Sequence, residues 1–159
     1  PFSLLGLPRV MSSEEDYVHV LNAIDVENNG ITLCTGSFGV TKGFDAPGFV
    51  KRLGHRIHFA HLRNTSLTKP DLPGRSSFYE AAHLEGATDM VSVVAALVRE
   101  EKKRKSAGRT DWQIPMRPDH GQELLHDLKL KSMPGYPLIG RMRGLAELRG
   151  IMAAVDLLN

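Results

Sequence analysis

Apolar residues recur every three to four positions in four stretches of the chain, a spacing typical of amphipathic helices. It predicts helices at about 13–26, from Asp45 to Gly54, at about 88–106 and from Leu138 to Val155. Ser12 and Glu15 have the spacing of a capping box at the start of the first helix. Pro47 suits the first turn of the second helix, where a missing N–H is harmless.

The third predicted helix ends in a run of charged residues. Glu100 precedes Arg104 by four positions, and Glu101 precedes Lys105 by four, the spacing at which opposite charges pair on a helix. We expect both pairs to form. The basic residues at 102–105 predict a solvated helix end.

Apolar runs too short for helices predict strands between these helices. They lie at 31–34, 56–62 and 112–116, with a vaguer candidate around 78–84. Residues 35–39 and 64–77 have the composition of loops. Strands that alternate with helices are typical of an α/β fold with parallel strands. No internal repeat or domain boundary is evident, so we expect residues 1–159 to form a single domain.

Composition and charge narrow the possible partners. The 159 residues carry 20 basic and 18 acidic side chains, a net charge of +2 that does not indicate a nucleic-acid partner. No run of 18 apolar residues and no signal peptide is present, which predicts a protein with no membrane partner. The single cysteine, Cys34, excludes an internal disulfide. The expected location is therefore cytoplasmic.

Three side chains with metal-binding chemistry follow predicted strands. Cys34, His61 and Asp119 each lie at or just beyond the carboxyl end of a strand, the edge at which α/β proteins build their active sites. Thiolate, imidazole and carboxylate together suit zinc, iron(II) or manganese(II). Their spacing matches no local zinc-finger pattern, so the predicted site is assembled from separate strands.

Each of these residues also has a structural interpretation. Cys34 could be buried packing, His61 a hydrogen-bonding residue, and Asp119 the cap of a turn. His58 competes with His61, but strand alternation places the two on opposite faces. Their common position on one predicted edge favours the metal site.

Further polar residues lie close to these candidates. His120 could act in proton transfer, because an unperturbed histidine side chain has a pKa of about 6.5, and its alternative role is a hydrogen bond to a neighbour. Tyr136, between Gly135 and Pro137, could supply a phenol or could pack within its loop. His83 could reach the same edge or could order its own loop.

Four motifs in order resemble the D-mannonate dehydratases of glucuronate catabolism, enzymes with a xylose-isomerase-like TIM barrel. They are Leu33-Cys34-Thr35-Gly36-Ser37-Phe38-Gly39, His58-Phe59-Ala60-His61-Leu62-Arg63-Asn64, Arg117-Pro118-Asp119-His120-Gly121 and Pro134-Gly135-Tyr136. The resemblance extends over nearly the whole chain. It implies an α/β fold that forms the C-terminal part of a (β/α)8 TIM barrel, with parallel strands alternating with helices.

The resemblance also implies a cofactor, a reaction and residue roles. It implies Mn²⁺ or Fe²⁺ held by Cys34, His61 and Asp119, with a fourth ligand, a histidine, upstream of the segment that begins this chain. His120 and Tyr136 match the catalytic pair, without a decision on which is acid and which is base. The matched segments also suggest Arg63, His83 and Arg117 as substrate-binding residues. The implied reaction removes water from D-mannonate to give 2-keto-3-deoxy-D-gluconate.

Other expectations follow from the same resemblance. Relatives are about twice as long, so we expect this chain to be the C-terminal half of a barrel, with the polypeptide longer than these residues. We expect a homo-oligomer, a dimer, that acts on a small sugar acid. Alternatives are another divalent-metal barrel enzyme, such as a sugar isomerase or a phosphoesterase, or a non-catalytic module in which the three candidate ligands only pack.

Overall fold

The chain folds into a small parallel sheet covered by helices. The computed structural model describes residues 5–7, 11–68 and 77–158. Its helices and strands occur in the order α1 (Glu14–Ala23), β1 (Ile31–Cys34), α2 (Thr35–Gly39), α3 (Ala46–Leu53), β2 (Ile57–His61), β3 (Thr65–Leu67), β4 (Phe78–Glu80), α4 (Met90–Ser106), β5 (Met116–Arg117) and α5 (Leu138–Leu158). Two 3₁₀ turns, Gly54–Arg56 and Leu125–Lys129, were not predicted.

The main sheet has three parallel strands in the order β1-β2-β5. The core combines side chains of this sheet, α3, α4 and α5, and α4 contacts both α3 and α5. Its fully covered side chains include Leu33, Phe49, Ile57, Leu62 and Leu97. The predicted alternation of parallel strands with helices is confirmed. None of the helices within the described residues is long and apolar enough to cross a membrane.

The vaguer strand at 78–84 is not part of this sheet. Phe78–Glu80 pairs with Thr65–Leu67 as a separate antiparallel ribbon, in which Thr65 faces Glu80. The prediction of a loop over 64–77 is therefore wrong at β3, and its residues 69–76 lie outside the described part of the chain. Strands of three residues are too short to show a periodicity that distinguishes them from a loop.

Most helices begin and end close to their predicted positions. The capping box of α1 begins one residue later than predicted. Ser13, not Ser12, caps α1, and Asp16 accepts hydrogen bonds from the backbone N–H groups of both serines. Glu15 is exposed, because Asp16 is the residue three positions after Ser13 and its side chain binds the backbone of the cap residue. Asp45 and Asp89 cap α3 and α4 through their side chains.

The charged end of α4 differs from the prediction. Glu100 and Arg104 do pair, at 3.3 Å, but Arg104 is only 2% exposed and donates to the carbonyls of Gly54 and Ile57. Glu101 does not pair with Lys105. It accepts a hydrogen bond from Ile114 N at 2.7 Å, and burial raises the pKa of its carboxyl. The charged run therefore anchors the helix to the start of β2 and to the segment before β5.

Candidate active site

Strand register brings the three candidate metal ligands together. Cys34 is the register partner of His61 between β1 and β2, and His61 is the register partner of Arg117 between β2 and β5. Asp119 follows two residues beyond the end of β5. One ligand atom from each of Cys34, His61 and Asp119 lies within 4.8 Å of the other two. Parallel pairing therefore places thiol, imidazole and carboxylate at the same edge of the sheet.

Cys34 lies where β1 passes into a short helix. Residues 35–39, predicted as a loop, form α2, and Cys34 Sγ accepts hydrogen bonds from Ser37 N at 3.4 Å and Ser37 Oγ at 3.2 Å. The thiol thus faces hydrogen-bond donors, which suits a sulfur that carries negative charge. Thr35 Oγ1 donates to the carbonyls of His61 and Arg63, which ties the end of β1 to the end of β2.

His61 has the electrostatic setting of a neutral metal ligand. Partial burial lowers the pKa of its imidazole, and the positive charges of Arg117 and of a protonated His120 lower it further, while Asp119 acts in the opposite direction. Neutral imidazole is the form that binds a metal. His58 points away to the Glu27 carbonyl at 2.9 Å, in agreement with the predicted strand alternation.

Asp119 has an unusual backbone for a non-glycine residue. Its φ is +62°, in the left-handed region, which aspartate adopts more readily than most residues. The side chain is 4% exposed. Oδ1 accepts a hydrogen bond from Arg117 Nη2 at 2.6 Å, and Oδ2 lies 3.8 Å from His61 Nδ1. The turn thus aims a buried carboxylate at the other two ligands.

His83 has a buried position beside the loop of Asp119, and its binding of substrate stays a prediction. It is 1% exposed, and its Nε2 makes a 2.8 Å hydrogen bond to the carbonyl of Pro118, the residue before Asp119. A Cβ at Gly144 in α5 would overlap the imidazole ring. Because the ring is enclosed on these sides, His83 orders the loop that carries Asp119.

Asn64 is a buried polar residue whose role the sequence did not reveal. Its Oδ1 accepts from the backbone N–H groups of Thr65 and Thr88, and its Nδ2 donates to the carbonyls of His83 and Thr88. The four bonds satisfy the amide side chain completely. They join the segment after β2 to the loop before α4, and an Asn three residues after the end of a strand was the available signal.

The structure brings His120 and Tyr136 into contact. Their ring centroids are 4.5 Å apart, and Tyr136 is 36% exposed. His120 Nε2 lies 3.8 Å from Asp119 Oδ2, so the pair borders the candidate metal ligands. The other ring nitrogen, Nδ1, makes a 2.8 Å hydrogen bond to Glu80.

The two matched arginines are bound to carboxylates of the protein. Arg63 makes a two-pronged ion pair with Glu80, with Nε at 2.9 Å from Oε2. Arg117 pairs with Asp119 but keeps a side chain that is 44% exposed. Substrate binding by Arg63 and Arg117 stays a prediction, and Arg117 has the greater access to a ligand. Glu80, which holds both Arg63 and His120, was missed because its strand has only three residues.

Sequence and structure comparisons identify similar proteins over nearly the whole chain. The sequence profile of the family described as D-mannonate dehydratase (UxuA) matches residues 1–159. A mannonate dehydratase from Rhizobium meliloti is 55% identical over 98% of the chain, and mannonate dehydratase 1 from Agrobacterium fabrum is 56% identical over 95%. The chain spans only 38% and 37% of these two relatives.

A solved structure has the same fold. The crystal structure of mannonate dehydratase from Streptococcus suis serotype 2 aligns with 98% of the chain at a TM-score of 0.78 and 33% identity. The chain covers 40% of that structure. The likeness is consistent with the predicted fold class, an α/β unit that is part of a TIM barrel.

Proposed function

This chain belongs to the D-mannonate dehydratase family, and we propose that it forms the metal-binding part of an enzyme that converts D-mannonate to 2-keto-3-deoxy-D-gluconate. One observation carries the proposal. Cys34, His61 and Asp119 come from three separate strand ends, yet their ligand atoms lie within 4.8 Å of one another. Packing alone does not require three different metal-ligand types at one point.

The residues present fit a divalent cation, which we propose to be Mn²⁺ or Fe²⁺. Cys34, His61 and Asp119 would hold it, since thiolate, imidazole and carboxylate are all ligands for these ions. A bound cation would act as a Lewis acid that stabilises negative charge on the substrate as its C2 proton leaves. Three ligands from this chain leave coordination positions open for a further ligand and for the substrate, as catalytic sites require.

His120 and Tyr136 are the groups we assign to proton transfer. The C2 proton lies next to a carboxylate and is too weakly acidic to leave unaided, so one group must remove it. The hydroxyl on C3 leaves as water only when a second group protonates it. His120 and Tyr136 are in ring contact beside Asp119, which supports their joint action.

Arg117 is the residue we propose to contact the substrate carboxylate. Its guanidinium is partly exposed next to Asp119, and arginine pairs with carboxylates through two parallel hydrogen bonds. We further propose that the enzyme is a cytoplasmic homodimer whose substrate is a small sugar acid. The family match supports the sugar-acid substrate.

The test is an assay of the enzyme that contains this chain, with Mn²⁺ and three substrate types: D-mannonate, aldoses and phosphodiesters. We expect the 2-keto-3-deoxy product from D-mannonate and no reaction with the other two. Metal content is measured on the same samples, before and after addition of Mn²⁺. Turnover of aldoses or phosphodiesters would replace this proposal with an isomerase or a phosphoesterase. Failure to bind Mn²⁺, together with no product, would overturn it altogether.

A further inference from the structure

Glu80 binds both His120 and Arg63 through its carboxylate, and it has no role in the reaction described above. Its Oε1 accepts a hydrogen bond from His120 Nδ1 at 2.8 Å, and its carboxylate also accepts from Arg63 Nε at 2.9 Å and from Arg63 Nη2. The Glu80 side chain is 21% exposed and that of His120 19%. Hydrogen bonds between charged groups are short and strong, particularly when arginine binds through two nitrogens. Arg63 therefore fixes the carboxylate that meets His120.

This contact determines which nitrogen of His120 carries the proton. An ionised carboxylate can only accept a hydrogen bond, so Nδ1 is the donor. In the neutral ring Nε2 is then an acceptor with a free lone pair. Its distance of 3.8 Å from Asp119 Oδ2 is too long for a hydrogen bond, so that carboxylate does not occupy it.

The ring of His120 is held by two further contacts. A Cβ placed on Gly135 would lie 2.5 Å from His120 Nδ1, so the Gly135 backbone lies against the same edge of the ring that Glu80 binds. Tyr136 contacts the ring at 4.5 Å between centroids, with the two ring planes tilted by 49°. The opposite edge of the ring carries Nε2, which lies 3.8 Å from Asp119 Oδ2.

We propose that Glu80 is a positioning residue that holds His120 with Nδ1 protonated and Nε2 directed at the substrate. This proposal rests on the proposed dehydratase function. His120 Nε2 then takes the C2 proton, and the C–H electron pair forms the C2–C3 double bond. The C3–O bond breaks, and Tyr136 donates its phenolic proton so that water leaves. The resulting enol becomes the 2-keto product, and proton exchange with solvent restores both side chains.

The assignment also gives the β3–β4 ribbon a function. The ribbon is not part of the parallel sheet, but Glu80 is the last residue of β4 and faces Thr65 across the ribbon. Thr65 directly follows Asn64, whose four hydrogen bonds fix this part of the chain. The ribbon thus brings a carboxylate to the edge of the site from outside the sheet.

The direct test is NMR of the ring nitrogens of His120 in the 159-residue chain labelled with ¹⁵N-histidine. We expect a protonated Nδ1 and an acceptor-type Nε2 in the unsubstituted chain. Glu80→Ala is expected to give both tautomers, and Glu80→Gln, whose carbonyl can still accept from Nδ1, to retain the original one in part. The matched control is Glu85→Ala, which removes an exposed glutamate that pairs with Arg143. An Nε2-protonated ring in the unsubstituted chain, or no change in Glu80→Ala, would overturn the proposal.

Measurements of kcat, KM and bound Mn²⁺ distinguish a positioning role of Glu80 from a general structural role. Where D-mannonate is turned over, Glu80→Ala is expected to lower kcat by about 10- to 100-fold, less than the roughly 100- to 10,000-fold that a proton-transfer group itself contributes. The KM and the amount of bound Mn²⁺ should not change. A loss of Mn²⁺ binding with unchanged kcat per bound metal would contradict the positioning role. An unsubstituted chain without turnover counts against the proposed function alone, because the NMR measurement needs no substrate.

Discussion

Cys34 and His61 are register partners at the carboxyl ends of two adjacent parallel strands. Neighbouring strands lie about 4.8 Å apart, so register partners bring their side chains within reach of one ion. The register therefore provides the first two ligands of the candidate metal centre without any loop rearrangement. Asp119, from the turn after β5, then adds the third.

Replacing Cys34 with serine should weaken metal binding. The thiolate is the softest ligand of the set, and its loss is expected to reduce Mn²⁺ affinity by at least about 10-fold. Added Co²⁺ gives a direct readout, because a thiolate bound to Co²⁺ absorbs in the near ultraviolet. Cys34 is the only cysteine in the sequence, so the band can come from no other residue. The site would not include Cys34 if the unsubstituted chain showed no such band.

Substitutions of Asp119 should separate its charge from its backbone conformation. Asn tolerates the left-handed φ of +62°, whereas Ala is expected to lose about 1 kcal/mol more in the free energy of unfolding. Both variants remove the carboxylate, so both should lose Mn²⁺ affinity to a similar extent. Urea unfolding and metal titration on the same samples measure the two effects. Equal stability of the two variants would show that the backbone strain is absent in solution.

Gly135→Ala should disturb His120 as well as the backbone. Gly135 has φ +83°, and an added Cβ would lie 2.5 Å from His120 Nδ1. Gly108→Ala is the matched control, since Gly108 has φ +76° and nothing lies within 4 Å of an added Cβ. We expect both variants to lose about 1 kcal/mol in stability, and only Gly135→Ala to shift the His120 ring signals and lower activity. Unchanged His120 signals in Gly135→Ala would contradict the close approach.

Arg104→Met should strongly destabilise the fold although it lies far from the site. Arg104 is 2% exposed, pairs with Glu100 and donates to the carbonyls of Gly54 and Ile57. Its loss leaves a buried carboxylate and two carbonyls without their donor, which is expected to cost about 3 kcal/mol. Lys103→Met is the control, because the Lys103 side chain is 74% exposed and its ion pair with Glu100 is worth less than about 1 kcal/mol. Chemical unfolding of both variants measures the change in the free energy of unfolding. Similar losses in the two variants would argue against the buried hydrogen bonds of Arg104.

Asp16 should make stability depend on acidic pH. Backbone hydrogen bonds from Ser12 and Ser13 lower the pKa of its carboxyl to about 2, from an ordinary value of 3.8. A lowered folded-state pKa stabilises the fold above the ordinary value, and this contribution is lost as the pH falls from about 4 to about 2. Asp16→Asn should therefore flatten the dependence of unfolding midpoint on pH in that window. Glu15→Gln removes a carboxylate from the same turn and should leave the dependence in place; an unchanged slope in Asp16→Asn would contradict the capping role.

The sequence by itself predicted the four longer helices of this protein, the parallel strands β1 and β2, and the three candidate ligands, whereas the strand predicted at 112–116 forms only at Met116–Arg117. Helices α3 and α4 carry clear apolar periodicity and side-chain caps, which are local properties of the chain. Cys34, His61 and Asp119 could be found because the ends of parallel strands meet at one edge, a rule that needs only strand positions. Short elements such as α2 and the β3–β4 ribbon escaped prediction because a few residues show no periodicity.

Only the tertiary structure decided how the remaining polar residues are used. His83 and Arg104 have sequence settings that suggest exposed, functional or solvated roles, yet both are buried and bind backbone carbonyls from distant segments. Glu80 gained its contacts with His120 and Arg63 through an antiparallel ribbon that the sequence did not indicate. Such contacts join residues far apart in the chain, so no local pattern records them. The ligand types were set by the sequence, whereas the orientation of His120 depends on the fold.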